Sequence, residues 1–345
     1  MTTTTQPAAA TKALPKLPWS RHLLVTAVLA VVLIPLPMLL DPAAEAVAIR
    51  VLLFAIMSIS WNIMSGFGGL FSFGHAAFFG IGAYSTAWLQ VEKGVSPWIG
   101  MAVGVVIAAL FALVMGVLAL RYKLKGAYFA LVTLAFAEML RLWATNSDLV
   151  NRAVGYHVPL RPEESWWWMQ FAPDSANYFF IALGLMILGL LVSILFLRSR
   201  AGQFALAARD DDEASAALGI PVVRYKVLTM MVSAALMATA GTLYLQYYLF
   251  IDPDLAFGSA MSIQAILPAV IGGVATIWGP VIGAVVLGPL TDITATLLRN
   301  PPPFLDFLAG RGGLDVVVYG ILLVIIILVL PKGIYGALRD RWSRR

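Results

Sequence analysis

Long apolar runs alternate with short polar segments along almost the whole chain of 345 residues. An α-helix rises 1.5 Å per residue, so about 20 apolar residues cross the roughly 30 Å hydrocarbon core of a bilayer. The pattern therefore predicts an all-α polytopic membrane protein with about ten transmembrane helices. The predicted spans are residues 23–40, 46–65, 75–91, 98–120, 126–143, 177–197, 227–248, 261–275, 279–298 and 314–330.

The first apolar run has an alternative interpretation as a secretory signal peptide, with Ala44-Glu45-Ala46 as the cleavage site. The run is longer than the 7–15 residues typical of a signal peptide, and Pro35 and Pro37 suit a kinked permanent helix. These features favour a transmembrane helix that is retained.

The composition agrees with the membrane class and excludes several kinds of chemistry. Hydrophobic residues make up 61% of the chain and charged residues 12%, which is typical of integral membrane proteins. The absence of cysteine excludes disulfides and thiolate metal ligands. Three histidines far apart in the sequence, His22, His75 and His157, do not predict a metal site. No HExxH, GxSxG or Walker A pattern occurs, so we expect this chain not to be an enzyme.

Basic residues are concentrated in four segments, although the net charge is only +5. Sixteen of the 23 Lys and Arg residues lie in residues 1–22, 121–125, 198–226 and 331–345. Because positively charged loops stay on the cytoplasmic side, this asymmetry predicts that both termini are cytoplasmic. We expect cytoplasmic tails at 1–22 and 331–345, and a single transmembrane domain over 23–330 that contains the loop 198–226. Membrane lipid is an expected partner, and nucleic acid is not.

Two segments are unusually rich in glycine, and both interrupt predicted spans. They are Ser65–Ser85 and Ile271–Gly288. Glycine costs about 1 kcal/mol relative to alanine inside a helix, so such clusters indicate unwound backbone or close helix packing. We favour a broken or re-entrant segment on a translocation path for the first, and small-residue packing for the second. The candidate path residues of the first segment are Phe73, Gly74, His75, Phe78, Phe79, Gly80 and Tyr84.

Few charges fall inside the predicted spans. Glu138 and Arg141 are three residues apart on one helix, which is close enough to pair. Arg50, Asp292 and Asp315 lie towards span ends, and no acidic residue falls near the middle of a span. Ion-coupled transporters usually need such a midplane acid, so an external energy source is favoured. A lone histidine is more often structural than functional, and we expect this of His75.

The stretch from Leu197 to Lys226 is a charged island between apolar spans. Its sequence predicts an opening turn at residues 200–203, a helix over 204–209, and a second helix that begins with acidic residues 210–213. Gly219 then predicts the end of that helix. Such short helices are unstable alone in water, so the island needs a partner or the base of the membrane domain. The alternative is a solvated loop.

Several blocks of sequence are similar to permeases of the LivH/LivM family of branched-chain amino-acid importers, most of all its LivM branch. They occur in family order over about 62–338. The blocks are GFGGLFSFGHAAFFGIGAYSTAWL, LKGAYFALVTLAFAEMLRLW, SRAGQFALAARDDDEASAALGIPVVRYKVLTMMVSAALMATAGTLY, GGVATIWGPVIGAVVLG and PKGIYGAL. Within the third block, EASAALG resembles the EAAxxxG coupling loop of ATP-binding-cassette (ABC) importers.

The resemblance implies a bacterial inner-membrane transport subunit. It implies a second, homologous permease subunit, two cytoplasmic ABC ATPases that use ATP and Mg, and an extracytoplasmic solute-binding protein. This chain itself would bind no cofactor. The family pattern places Asp212, Glu213, Ala214 and Gly219 in the coupling helix, with Arg209 at its approach. The implied solute is a branched-chain or other apolar amino acid; the alternatives are a urea or amide importer of the same class and an ion-coupled secondary transporter.

Overall fold

The computed structural model describes residues 19–172, 175–299, 320 and 333–336. These residues are mostly helical, which confirms the all-α class. The helices are α1 Trp19–Leu33, α2 Pro42–Trp61, α3 His75–Lys93, α4 Pro97–Arg121, α5 Gly126–Asn146, α6 Asn177–Arg198, α7 Arg200–Asp210, α8 Asp212–Ala217, α9 Val222–Tyr248, α10 Pro253–Phe257, α11 Ser259–Gly272 and α12 Gly279–Arg299. Strands β1 Tyr156–His157 and β2 Phe250–Ile251 pair antiparallel.

Seven helices in the described part are long and apolar enough to cross a membrane. Helix α3 is long enough, with 19 residues, but less apolar than these seven, and the apolar part of α12 is shorter, with 15 residues. Of the predicted span 314–330 only residue 320 is described, and the count of about ten therefore stays a prediction. The seven are Ser20–Leu39, Pro42–Phe67, Pro97–Arg121, Gly126–Asn146, Asn177–Arg198, Val222–Tyr248 and Pro253–Gly272.

Helices α3, α4 and α9 pack closely together and approach one another at small residues. A Cβ at Gly82 would overlap the carbonyl of Ala238, and one at Gly241 would overlap the carbonyl of Phe79. A Cβ at Gly104 would lie 3.0 Å from the Cα of Gly82. Backbones that pack this closely gain van der Waals contact without a hydrophobic driving force, which is how helices associate in lipid.

Glycines of the second Gly-rich segment also serve helix packing. A Cβ at Gly272 would overlap the carbonyl of Gly279, and one at Gly283 would overlap the carbonyl of Pro268. Helices α11 and α12 therefore meet at glycine, as we predicted for this segment. Asn62 ties the connection between them to the end of α2, because its side chain accepts from Ala275 N and donates to Thr276 O, both at 2.8 Å.

Different loops lie at the two ends of the bundle. At one end Trp278 Nε1 donates to His22 Nδ1 at 3.1 Å, and Gly333 lies against Gly273. The loop between α4 and α5 and the loop between α6 and α9 meet at this same end. At the other end Ser96 donates to the carbonyl of Trp167 at 2.6 Å, and β1 pairs with β2. Successive loops thus alternate between ends, as the predicted topology requires.

Candidate functional site

The charged island folds as two capped helices, α7 and α8, at the basic end of the bundle. The predicted opening turn at 200–203 is wrong, because α7 already begins at Arg200. Ser199 caps it by accepting from Gly202 N at 3.2 Å. Asp211 caps α8 by accepting from Glu213 N and Ala214 N, both at 2.9 Å. Caps of this kind contribute about 1 kcal/mol each, which helps helices too short to be stable alone.

Gly219 ends the second helix as predicted. Its φ of +82° lies in the left-handed region, and its N–H donates to Ala216 O at 2.9 Å. Leu218, directly before it, is 82% exposed. A leucine this exposed on a capped, polar loop offers an apolar contact to another protein. Sequence reasoning missed Leu218, since a leucine beside a helix end gives no signal of its exposure.

Asp212 joins the island to two other helices. Its carboxylate lies 2.5 Å from Lys226 Nζ in α9 and 3.3 Å from Lys125 Nζ at the start of α5. Burial alone would raise the pKa of Asp212, but hydrogen bonds and charge from Lys226 and Lys125 outweigh burial and hold this pKa below its usual range. Asp212 is therefore ionised at neutral pH. Neither pairing was predicted, because Lys125 is distant in sequence and only the fold of the island brings Lys226 to Asp212.

Arg209 connects the island to the first Gly-rich segment. A Cβ at Gly69 would lie 2.8 Å from Arg209 Cγ, so only glycine fits this approach closely. Gly69 also has a φ of +68°, which favours glycine independently. Both residues, with Asp212, Glu213 and Lys125, line a cleft of about 510 Å³ between the island and the start of α5. The structure thus brings Arg209, Asp212 and Glu213 together, with Ala214 and Gly219 on the same loop.

The first Gly-rich segment contains the break that its sequence predicted. After α2 the chain forms a π-helical turn at Asn62–Phe67, then runs without helix to α3 at His75. Exposure alternates along this stretch: Phe71 and Phe73 are 40% and 39% exposed, while Ser72 between them is buried. Their rings meet edge to face with centroids 5.2 Å apart. Such backbone at membrane depth is tolerated only beneath protein or beside water.

His75 lies behind this stretch and is fully buried. Its Nδ1 is 3.1 Å from Ser72 Oγ and its Nε2 is 3.0 Å from Ser233 Oγ. Ser233 also donates to Ser60 O at 2.6 Å, so one chain of polar groups links α2, the break, α3 and α9. This network agrees with a structural role for His75.

The other candidate path residues lie mostly inside this chain. Phe78 and Phe79 are fully buried, Tyr84 is 5% exposed, and Gly80 is covered by the ring of Phe257. Gly74 lies against the carbonyl of Thr133 in α5, and the Phe73 N–H donates to Thr133 Oγ1 at 3.2 Å. Only Phe73 of the predicted set presents a large exposed surface. A path role for the set stays a prediction, and Phe71 joins it as a residue that sequence reasoning missed.

Helix α5 carries charges on an exposed face. Arg141 donates to both carboxylate oxygens of Glu138, at 2.6 and 2.9 Å, which confirms the predicted pair. It also donates to Asp254 of α10 at 2.5 Å, a contact between segments that the sequence did not reveal. Glu138 is about half exposed and Asp254 is mostly exposed.

Helix α4 shows the opposite character. Its exposed positions are apolar for five turns. They include Val103, Val106, Ile107, Leu110, Val114, Val117 and Leu118. Charged groups are costly against hydrocarbon, whereas aliphatic side chains are at no disadvantage there. The geometry therefore defines an integral membrane subunit with an apolar face suited to lipid at α4, and with one ion pair, Glu138–Arg141, on the otherwise mostly apolar exposed surface of α5.

Comparison with known proteins agrees with this class. Residues 43–327 match the family described as branched-chain amino acid transport system / permease component. Because the match covers most of the chain, the chain belongs to this family. No solved structure gave a significant match.

Individual relatives are similar at moderate identity. The chain is 27% identical over 282 residues to the high-affinity branched-chain amino acid transport system permease protein LivM of Salmonella typhimurium, which covers 75% of this chain and 65% of LivM. It is 27% identical over 296 residues to LivH of the same organism, covering 82% and 91%. It is 28% identical over 223 residues to the L-arabinose ABC transporter permease protein AraH of Azospirillum brasilense, covering 63% and 61%. The chain thus spans just under two thirds of the length of LivM.

Proposed function

We propose that this protein is a permease subunit of an ABC importer for branched-chain or other apolar amino acids. The observation that carries the proposal is the capped two-helix loop α7–α8, which presents Glu213, Ala214 and the exposed Leu218 to solvent. A loop of this kind can serve as a docking site for a soluble ATPase. The family match and the similarity to LivM and LivH support the solute class. Two cytoplasmic ATPases supply ATP hydrolysis, and an extracytoplasmic protein delivers the solute.

The basic end of the bundle is the cytoplasmic end in this proposal. The loops at 121–125 and 198–221 and the segment 333–336 meet there, and they carry or adjoin most of the chain's Lys and Arg residues. The positive-inside rule therefore orients the α7–α8 loop towards the cytoplasm, where ATP is available. Both termini lie on this side.

The translocation path runs along the face that α5 shares with the break before α3. The Glu138–Arg141 ion pair in the second half of α5 argues against lipid on this face, because charged side chains in transmembrane helices usually face protein or water. The exposed non-helical stretch with Phe71 and Phe73 also argues against lipid on this face, because non-helical backbone is not tolerated against hydrocarbon. The second permease subunit covers this face, and the path lies between the two subunits. The phenylalanine rings suit an aliphatic side chain passing the break.

Reconstitution tests the proposal. The chain, its partner permease and the two ATPases are placed in proteoliposomes with the cognate binding protein and labelled leucine. We expect uptake that requires ATP and the binding protein. Uptake driven by a proton or sodium gradient without ATP would contradict the proposal and favour an ion-coupled transporter. Calorimetry of the binding protein with leucine, urea, a short amide and arabinose identifies the solute; tight binding of urea or an amide alone would overturn the amino-acid assignment.

Two variants of the island test its coupling role. Glu213→Lys reverses an exposed charge in the first turn of α8, where the helix dipole favours an anion by about 0.3–1 kcal/mol. A Cβ at Gly219 would have no neighbour within 4 Å. The loss of stability in Gly219→Val therefore comes only from placing a side chain on left-handed backbone. Both should insert and bind the partner permease, but lose ATPase co-purification or coupled hydrolysis. Wild-type ATPase binding and uptake in both variants would show that the island is only a solvated loop.

A further inference from the structure

Asp212 occupies a position from which α8 can act on two membrane helices that differ in how much of their surface this chain buries. Lys226 belongs to α9, in which 16 of 27 residues are buried. Lys125 is the N-cap of α5, in which five of 21 residues are buried. The Lys226 side chain is 9% exposed and that of Lys125 is 60% exposed. One side of the carboxylate is therefore anchored in the core of this chain, and the other reaches a helix that this chain covers only in part.

The charge of Lys125 is itself unfavourable where it lies. The N-terminus of a helix carries a partial positive charge, so a cation at the N-cap of α5 is repelled by the helix dipole. The carboxylate of Asp212 offsets this repulsion at 3.3 Å. The neighbouring Lys123 in the same loop has no ion pair within the described residues. The pairing of Lys125 is thus specific to its position and does not follow from loop charge in general.

Helix α5 also reaches the break before α3. Thr133, two turns after Lys125, accepts from the Phe73 N–H at 3.2 Å through its hydroxyl, and its carbonyl lies against Gly74. Further along, α5 carries Glu138 and Arg141 on its exposed face. A displacement of the start of α5 is therefore passed on to the non-helical stretch through direct contacts.

We propose that Asp212 is a positioning residue that transmits the movement of α8 to α5 through Lys125, while Lys226 holds its carboxylate in place. This proposal rests on the proposed function, since it concerns how ATP hydrolysis at the island is coupled to the path. The Asp212–Lys125 pair is then required for coupling of ATP hydrolysis to uptake, but not for docking of the ATPases.

Matched neutral variants in the complete transporter test the link. The test variants are Asp212→Asn and Lys125→Gln. The controls are Asp210→Asn and Lys123→Gln, which each remove a charge of the same sign from the same cleft but leave the Asp212–Lys125 pair intact. The measurements are ATPase co-purification, hydrolysis stimulated by loaded binding protein, and solute taken up per ATP. We expect Asp212→Asn and Lys125→Gln to retain the ATPases but to lower uptake per ATP by about fivefold or more. The two control variants should match the wild type.

Further variants separate coupling from folding of the loop. Asp212→Glu should restore most of the coupling, because it keeps the charge. The double variant Asp212→Asn/Lys125→Gln should couple no worse than Asp212→Asn alone, because both changes remove one link. If Lys125→Gln couples as well as Lys123→Gln, the proposal is wrong, whatever Asp212→Asn does. Absence of ATP-dependent uptake by the wild-type transporter would instead contradict the proposed function itself.

Discussion

Gly69 lies directly against Arg209, so that a side chain at residue 69 would begin 2.8 Å from Arg209 Cγ. The two residues are 140 positions apart in sequence. Gly69 belongs to the break before α3, and Arg209 belongs to the last turn of α7. The α7–α8 loop and the non-helical stretch before α3 therefore touch without an intervening element.

Gly69→Ala should impair coupling through this contact. The left-handed backbone costs a residue with a Cβ roughly 1–2 kcal/mol, and the added methyl group displaces Arg209 as well. Gly94→Ala is the matched control, because Gly94 has a similar φ of +63° but no neighbour within 4 Å. We expect lower stimulated ATPase activity for Gly69→Ala than for Gly94→Ala at equal membrane insertion. Equal activity of the two variants would show that contact with Arg209 is unimportant.

Gly74→Val should abolish uptake, because its side chain would overlap the carbonyl of Thr133. Gly80→Leu should do the same by displacing the ring of Phe257. Gly184→Val is the control, since nothing lies within 4 Å of its added Cβ. Uptake and membrane insertion are measured for all three variants. Normal uptake by the variants at 74 and 80 would mean that these contacts can relax without functional cost.

His75→Gln should be milder than His75→Leu. Glutamine can still bond with Ser72 or Ser233, whereas leucine removes both bonds, at a net cost of about 0.5–1.5 kcal/mol each. We expect His75→Leu to lower the melting temperature of the purified protein in detergent by several degrees more than His75→Gln. A proton-relay role would be indicated instead if His75→Gln kept full stability but lost all uptake.

Arg141→Gln should weaken assembly with the second permease. It leaves the carboxylates of Glu138 and Asp254 without the guanidinium that neutralises them on a face we place within the membrane. Adding Glu138→Gln to Arg141→Gln should recover part of the loss, because an unpaired charge is removed. Co-purification of the two permeases gives the readout. If Arg141→Gln assembles normally and the double variant gains nothing, this face is water-filled and not covered by protein.

Cysteine labelling tests the orientation, because the chain contains no cysteine. Glu163 and Ala217 are both exposed, and each is replaced by cysteine. Ser215, in the same loop as Ala217, is buried and therefore unsuitable. An impermeant maleimide should label residue 163 in intact cells and residue 217 only after permeabilisation. Labelling of both residues in intact cells would refute the alternating topology.

The sequence by itself determined the class, the approximate spans, the basic side and the capped island. Each follows from a local property: hydrophobic run length, the distribution of Lys and Arg, or the Asp-rich start and glycine end of a short helix. The Glu138–Arg141 pair was predictable for the same reason, since residues three apart on a helix are neighbours.

Only the tertiary structure decided which residues face each other across the chain. It paired Asp212 with Lys125 and Lys226, joined Asp254 to Arg141, and placed Gly69 against Arg209. It also buried Phe78 and Phe79 while exposing Phe71 and Phe73. These eleven residues lie in apolar or small-residue surroundings or in polar loops that look alike in sequence. Helix packing fixes their rotation and spacing, and this information is spread over contacts that no single segment contains.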